Sequence, residues 1–342
     1  MVSIYDIAKA VGVSASAVSY VLSGRAEKAR ISREKQQLIL DAAKKMGYIP
    51  NMAARKLSRR NTAHLPEIAL CWSPEQHPSF LNTFIGILQD MTAGGQVREM
   101  RFTVLPYRNG KLEKLASVLT ANYYNGVIVP AVSDNDVEFL KNTEIQVPTV
   151  LLFGDIPRYH LVTVDNRRTG AEVAEIFHRH GHRSVAVMQP AYRQMSVTVA
   201  QRNAGFLESC EKLKMDAVVI TGEPGGPYSN RIEEGRALAG KMLETGKVPT
   251  AVFIQHDLVA LGALDVFCGK GIRMPEDLEV IVYSNNESLE VHSPSVTTVQ
   301  YPTEDIAREC ITVMAELLDK PGAEPVRRIL ETPFVFRESC PP

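Results

Sequence analysis

From about residue 65 onward, short apolar runs alternate with longer amphipathic stretches, and this alternation constrains the fold more than any other feature. Strand-like runs lie at 68–72, 102–107, 126–130, 149–153, 161–164, 184–189, 217–221, 251–255 and 279–283. Helical spacing of apolar residues is found at 80–92, 111–122, 136–142, 170–180, 202–213, 232–244 and 258–269. Strands that alternate with helices in this way form parallel sheets with helices on both faces.

The pattern runs twice, before and after about residue 160, which predicts two similar lobes. In parallel sheets, ligands bind outside the carboxyl ends of the strands. The cleft between the lobes is therefore the predicted ligand site, and a hinge would close it.

A different pattern precedes the lobes. Residues 4–10 have apolar side chains at helical spacing, and Gly12 then supplies a tight turn. Ser14 is placed to cap a second helix, and a third follows within 31–46. Two short helices joined by such a turn form a helix-turn-helix, whose second helix enters the DNA major groove. The side chains predicted to be exposed there are Ala15, Ser16, Ser19 and Tyr20. A plain three-helix bundle is the alternative.

The charge of the chain is divided unevenly. Residues 1–61 contain twelve Lys and Arg against four acidic residues, although the whole chain has 38 against 39. A basic head on an acidic body is expected if only the head meets phosphates. The charge therefore favours DNA binding over the plain bundle.

The motifs of the head resemble one known family. IYDIAKAVGVS at 4–14, AVSYVLSG at 17–24, GYIPN at 47–51 and AARKL at 53–57 are similar to the lac-repressor (LacI/GalR) family of bacterial transcription regulators. Body motifs add to the resemblance: VTVDN at 162–166, RNAGF at 202–206, PTAVF at 249–253 and GIRMPED at 271–277. The resemblance covers nearly the whole chain.

The resemblance implies an all-α helix-turn-helix head and an α/β two-lobed, periplasmic-binding-protein-like (type I) core. The implied domains are a DNA-binding head at 1–48, a hinge helix at 49–61 and an effector-binding and dimerisation core at 62–342. The first lobe would comprise about 65–160 and 291–320, and the second about 161–290 and 321–342. A homodimer would bind a palindromic operator, and a ligand in the cleft would change its affinity for that operator.

The implied DNA contacts fall on two segments. From the recognition helix they are Ser14, Ala15, Ser16, Ser19 and Tyr20. From the hinge helix they are Asn51, Ala54, Arg55 and Leu57. A hinge of about ten residues is marginal as an isolated helix, and the family orders it in the minor groove. There Leu57 would unstack a base step, at a cost that the wider contact with bent DNA offsets.

The effector residues implied by the family are less regular. Arg202 matches the pocket arginine, with a structural salt bridge as the alternative, and Phe80 matches an aromatic residue that stacks on the effector or faces the core. Phe153, His256 and Ser284 stand where many members have an acid, an asparagine and a carboxylate. A cleft altered in this way suits an aromatic, anionic or otherwise polar effector better than a neutral monosaccharide, or needs no small molecule.

The sequence predicts neither an enzyme nor a cofactor, because it contains no nucleophile elbow, P-loop or dinucleotide fingerprint. His178, His180 and His182 lie close together, but no acid or cysteine accompanies them in the sequence, so no metal site is expected. The five cysteines are scattered.

No export signal and no apolar run of roughly 18 residues is evident, which predicts a cytoplasmic protein without a membrane helix, on the nucleoid when operator-bound. Two alternatives to a ligand-controlled regulator stay open. One is a solute-binding protein without DNA function. The other is a regulator controlled by a protein partner.

Overall fold

The computed structural model of the chain describes residues 4–22, 26, 29, 31–46, 65–73, 78–130, 133–191, 196–222, 230–244, 248–320 and 322–342. The chain divides into two compact units, Met1–Leu65 with Thr120–Tyr124 and Pro66–Leu119 with Asn125–Pro342. The described part of the first unit contains the helical head. The second contains two α/β lobes.

The head consists of α1 (Ile4–Val11), α2 (Ala15–Leu22) and α3 (Arg33–Lys45), as predicted. Each helix contributes a fully buried side chain to one small core: Ile7, Val18 and Ile39. The three apolar faces read from the sequence therefore pack against one another.

The first sheet has six strands, in the order β11–β5–β4–β3–β1–β2, and all of its pairings are parallel. The strands are β1 (Glu67–Trp72), β2 (Arg101–Pro106), β3 (Gly126–Val129), β4 (Thr149–Leu151), β5 (His160–Val164) and β11 (Arg327–Leu330). Helices α4 (Pro78–Ala93) and α10 (Thr303–Asp319) bury one face of this sheet around Phe84 and Met314. Helix α5 is Asp134–Asn142.

The second sheet repeats the arrangement in the order β12–β10–β9–β8–β6–β7, with only β12 antiparallel. Its strands are β6 (Ser184–Gln189), β7 (Asp216–Thr221), β8 (Ala251–Ile254), β9 (Glu279–Tyr283), β10 (Thr297–Val299) and β12 (Phe334–Val335). One face is covered by α6 (Asn166–Arg179) and α7 (Val197–Lys212), and the other by α8 (Arg231–Leu243) and α9 (Asp257–Gly269). The prediction of two parallel-sheet lobes is confirmed.

The lobe boundaries differ from those predicted. Residues 161–164 belong to the first sheet, because β5 pairs with β4. The pairing of β11 with β5 then places residues 327–330 in the first lobe as well. Residues 297–299 belong to the second sheet, because β10 pairs with β9 and β12. The chain therefore crosses after β5, after β10 and between β11 and β12. Backbone pairing decides these positions, and composition gives no signal for it.

The helix predicted over 111–122 is wrong. Only a 3₁₀ turn, Leu112–Leu115, forms there. The backbone N–H groups of Gly110 and Leu112 both donate to the buried carboxylate of Asp136, at 2.8 Å each, and this fixes the start of the segment. The buried Leu112 and Leu119 are seven residues apart, which explains the helical spacing in the sequence.

Glycine allows α6 and α7 to approach backbone to backbone. A Cβ atom on Gly170 would overlap the Arg202 carbonyl, and one on Gly205 would overlap the Arg167 carbonyl. This contact brings Arg202 of α7 beside Asn166, the first residue of α6. No helix within the described ranges is long and apolar enough to cross a membrane.

Candidate DNA-binding and effector-binding sites

The turn between α1 and α2 has the geometry that the sequence predicts. Gly12 has a φ of +69°, in the left-handed region that favours glycine. The Ser14 hydroxyl accepts a hydrogen bond from the backbone N–H of Ala17 at 3.1 Å, which caps α2. Residue Ser14 thus has a structural role at the start of the recognition helix.

The exposed face of α2 is narrower than predicted. Ser16 and Tyr20 are exposed and lie four residues apart, on the same side of the helix. Ser19 is half-buried, and Ala15 is half-buried against the head core, so the prediction that both are exposed is wrong. Asn51, Ala54, Arg55 and Leu57 lie outside the described residues, so their roles stay predictions.

Four aromatic residues near the carboxyl ends of β1 and β4 form a set that we call the aromatic wall: Trp72 and Phe153 from those ends, Phe80 from the start of α4 and Tyr301 from the segment between β10 and α10. The Trp72 and Phe80 rings are stacked, with centroids 5.7 Å apart. Tyr301 lies 6.4 Å from Phe80 and 6.0 Å from Phe153. The structure thus brings both predicted aromatic residues to one tyrosine that sequence reasoning missed.

In the second lobe, Gln189 and Gln255 at the carboxyl ends of β6 and β8 join helix residues in a hydrogen-bonded chain. We call this chain the amide–arginine network, and its other members are Asn166 of α6 and Arg202 and Asn203 of α7. Arg202 is buried, its Nε donates to Gln255 Oε1 at 2.9 Å, and its Nη1 donates to Asn166 Oδ1. Gln255 then donates to Asn203, which donates to Gln189. The network holds the guanidinium in one orientation.

Two tyrosines connect the wall and the network. The Arg202 guanidinium carbon lies 3.8 Å above the ring centroid of Tyr283, a cation–π contact. Burial raises the pKa of Tyr283, although Arg202 opposes the shift. Burial also raises the pKa of Tyr301 well above its ordinary value, with Tyr283 and Cys310 adding to it and Arg202 opposing it. Both phenols are therefore neutral, and the Tyr301 hydroxyl is buried without a hydrogen-bond partner.

The side chains of His256 and Ser284 each accept a hydrogen bond from a backbone N–H two residues further along the chain. The His256 Nδ1 accepts from the backbone N–H of Leu258 at 3.2 Å and caps α9. The Ser284 hydroxyl accepts from the backbone N–H of Asn286 at 2.9 Å. Both residues follow the strands of the second lobe at the predicted edge, and their effector roles stay predictions.

The carboxyl ends of strands were the signal that could have found the missed residues. Trp72, Gln189 and Tyr283 end β1, β6 and β9, and Gln255 directly follows β8. Tyr301 follows β10, a strand that the sequence reading omitted. Family motifs indicate binding residues by amino-acid type. The carboxyl ends of parallel strands indicate them by their position in the fold.

Comparison with known proteins agrees with this architecture. Residues 3–51 match the bacterial regulatory proteins of the lacI family, and residues 174–340 match the periplasmic binding protein-like domain. The head is that of the lacI family, and the core is periplasmic-binding-protein-like. The chain's predicted head and core are thereby confirmed, and it is a DNA-binding transcription regulator and not an enzyme. The family match of the head removes the alternative of a solute-binding protein without DNA function.

Transcription regulators match the chain over nearly its full length. It is 29% identical to the HTH-type transcriptional regulator CelR of Thermobifida fusca, over 97% of this chain and 96% of that one. It is 25% identical to the repressor PurR of Pasteurella multocida, over 99% of this chain and 98% of that one. The solved CelR–cellobiose complex superposes with a TM-score of 0.66 at 25% identity, covering 99% of this chain and all of that one. The lac repressor dimer bound to operator and the anti-inducer ONPF shares the fold, with a TM-score of 0.69 at 20% identity, over 100% and 99%.

Proposed function

We propose that this lacI-family regulator represses transcription by binding a palindromic operator as a homodimer, and that a polar effector held between its lobes changes operator affinity. The observation that carries the DNA half is the capped recognition helix with Ser16 and Tyr20 exposed on one face. Both side chains have hydroxyl groups, which form hydrogen bonds with bases or phosphates but no bidentate, base-specific pair. A regulator of this kind acts where the chromosome is, in the bacterial cytoplasm and on the nucleoid.

Exposed apolar residues support pairing with a second copy of the chain. Val104 on β2 is 40% exposed and Val219 on β7 is 43% exposed, and these strands are the outer edges of the two sheets. Ile85 on α4 and Ile232 on α8 add exposed apolar side chains in the same two lobes. A contact that spans both lobes would let a second chain bury these side chains.

The effector half rests on the chemistry at the strand ends. The aromatic wall can stack on a ring, and the buried Tyr301 hydroxyl offers one donor and one acceptor. The rigid Arg202 fork favours oxygen acceptors or an anionic group. We therefore infer a ring-shaped effector with an oxygen-rich or anionic edge. CelR is known bound to cellobiose, a sugar, and a sugar acid or an aromatic acid would fit the arginine better than a neutral monosaccharide.

The location of Tyr301 suggests how the effector acts. Tyr301 lies where the chain crosses from β10 to α10, and the Asn285 side chain bonds both to its N–H, at 2.7 Å, and to its carbonyl, at 2.6 Å. A backbone bridge between Ser133 and Ser196 is a second point where the lobes meet. An effector bonded to the Tyr301 hydroxyl would bias the angle between the lobes. By linkage, operator binding must then change effector affinity by the same factor.

The DNA half is tested with the full chain and duplexes selected from a randomised library. We expect two inverted half-sites, with salt-dependent binding measured by fluorescence anisotropy. Ser16→Ala and Tyr20→Ala should change base preference within each half-site, whereas Gln37→Ala on α3 serves as a surface control that leaves it unchanged. Equal affinity for selected and random DNA would contradict the proposal.

The effector half is tested by thermal-shift screening of the full chain against sugars, sugar acids, nucleosides and aromatic acids. A ligand at about 100 times its dissociation constant stabilises the folded state by roughly 2.7 kcal/mol. Tyr301→Phe should weaken a true hit by losing one hydrogen bond, and Arg202→Lys should weaken it more, because lysine lacks the planar fork. No hit, together with operator affinity that changes only when cell extract is added, would favour control by a protein partner.

A further inference from the structure

The end of the second lobe opposite the effector site contains a cluster of metal-ligand side chains. His180 is the C-cap residue that follows α6, Glu279 is the first residue of β9, and Cys340 is two residues from the end of the chain. Among the described residues, these three form a group whose ligand atoms all lie within 4.8 Å of one another. His182, in the turn before β6, lies beside them.

The distances within the cluster are close to those of a metal coordination sphere. His180 Nδ1 lies 2.8 Å from Glu279 Oε2, and Cys340 Sγ lies 3.1 Å from the same oxygen. Cys340 Sγ and His180 Nδ1 are 3.8 Å apart. Bonds of about 2.0–2.3 Å to a tetrahedral zinc ion place its ligand atoms roughly 3.4 Å from one another. Small side-chain movements would open the cluster around an ion.

Burial makes the cluster unusual. The Cys340 residue is fully buried, and the Glu279 side chain is only 11% exposed. The His182 Nε2 is buried 3.3 Å from Glu279 Oε2 without making a hydrogen bond. Burying a carboxylate is costly unless charge or several donors compensate for it. His180 and the Cys340 thiol already form hydrogen bonds with this carboxylate, and a divalent cation would compensate for its burial more fully.

We propose that His180, Glu279 and Cys340 bind a Zn²⁺ ion. Imidazole nitrogen, carboxylate oxygen and thiolate sulfur are the donor types that zinc prefers, and three protein ligands leave one coordination position for water. On binding, the Cys340 thiol gives its proton to solvent and the thiolate bonds to the ion. His182 acts as a positioning residue, because its buried Nε2 would donate to the Glu279 carboxylate once that carboxylate turns toward the ion.

The ion would join three separate parts of the second lobe. The C-terminal tail is held by Ser339, whose hydroxyl donates to the Val280 carbonyl at 2.7 Å, and by Thr297, whose hydroxyl donates to the Cys340 carbonyl at 2.7 Å. Coordination would add a cross-link from this tail to β9 and to the end of α6. This role is structural and independent of the effector site.

The test uses the full chain, stripped with a chelator and kept reduced. Competition with a chromophoric chelator should give one Zn²⁺ per chain with sub-micromolar affinity. Cys340→Ser and His180→Gln should weaken binding by at least about 100-fold, and His182→Gln by about 10-fold. Cys268→Ser and His178→Gln are matched controls that should leave affinity unchanged. Co²⁺ should give a thiolate charge-transfer band that Cys340→Ser abolishes.

Thermal unfolding shows whether each variant is folded, so that a loss of zinc binding is not mistaken for misfolding. Without metal, each variant should unfold cooperatively, and only the wild type and the controls should gain several degrees of melting temperature on adding Zn²⁺. Wild-type zinc affinity in Cys340→Ser, or no zinc-dependent shift in the wild type, would overturn the proposal. Either result would leave the cluster as a hydrogen-bonded anchor for the tail.

Discussion

The two lobes repeat one fold, yet different forces hold the side chains that each contributes to the candidate effector site. In the first lobe, the aromatic wall is an extension of the core, since Trp72 and Phe80 belong to the same buried cluster as α4 and α10. In the second, the amide–arginine network is held by directed hydrogen bonds from Asn166, Gln255 and their neighbours. Dispersion and burial are tolerant of direction, whereas hydrogen bonds are not. We therefore propose that the first lobe accepts varied rings and that the second selects for polar groups.

The largest effect should come from the aromatic wall. Phe80→Ala removes a ring that is 8% exposed and stacked on Trp72, so it should lower the free energy of unfolding by about 3–5 kcal/mol in urea denaturation. Phe80→Leu keeps most of the volume and should cost less than about 1.5 kcal/mol. If the two substitutions cost the same, the wall would owe its stability to something other than filled volume.

The next largest difference between the lobes should come from adding a methyl group to a closely packed glycine in each. A Cβ on Gly205 would strike the rigid Arg167 carbonyl, so Gly205→Ala should cost about 3 kcal/mol of unfolding free energy. In the first lobe, a Cβ on Gly126 would meet the flexible side chain of Met314, and Gly126→Ala should cost about 1 kcal/mol. Equal losses would show that the α6–α7 contact relaxes as easily as a methionine.

Substitutions in the amide–arginine network should lower the free energy of unfolding by less. Arg202→Met removes the donors to Asn166 and Gln255 and leaves buried acceptors unsatisfied, which should lower the free energy of unfolding by about 2–3 kcal/mol. Arg168→Ala removes an exposed arginine paired with Glu172 on α6 and should change stability little. A neutral Arg202→Met substitution would mean that the network contributes orientation without stability.

The smallest effect should be a pH dependence confined to the first lobe. Burial, with Arg327 nearby, lowers the pKa of His160, whose Nδ1 accepts from the Val326 N–H at 3.2 Å. A lowered pKa in the folded state means that His160 stabilises the fold above the unfolded pKa of about 6.5, and that this contribution is lost as the pH falls below it. Melting temperatures between pH 8 and 5 should therefore fall less steeply in His160→Gln than in the wild type. Parallel profiles would exclude this residue as the cause.

Much of the fold was predictable because local rules decided it. The strands from β1 to β9 lie within one or two residues of the predicted runs, since buried parallel strands are short and apolar. The capped α2 and the turn at Gly12 follow from residue types with few alternative conformations. The segment at 111–122 escaped prediction because a distant carboxylate, Asp136, anchors its backbone.

The candidate site was predicted in part. Phe80, Phe153 and Arg202 were predicted from family motifs, whereas Tyr301 and Gln255 match no such motif and are marked only by their positions after the ends of β10 and β8. The prediction of the exposed face of α2 included too many residues, since Ala15 packs against the head core.

The sequence by itself determined the kind of protein: a basic helix-turn-helix head on a two-lobed α/β body, through periodicity, charge and family motifs. The tertiary structure alone decided where the chain crosses between the lobes and which side chains meet. His180 and Cys340 are 160 residues apart in the chain, but the Cys340 sulfur lies 3.8 Å from the ring of His180. Such meetings arise from sheet pairing and packing between distant segments, and these long-range contacts leave no periodic trace in the sequence.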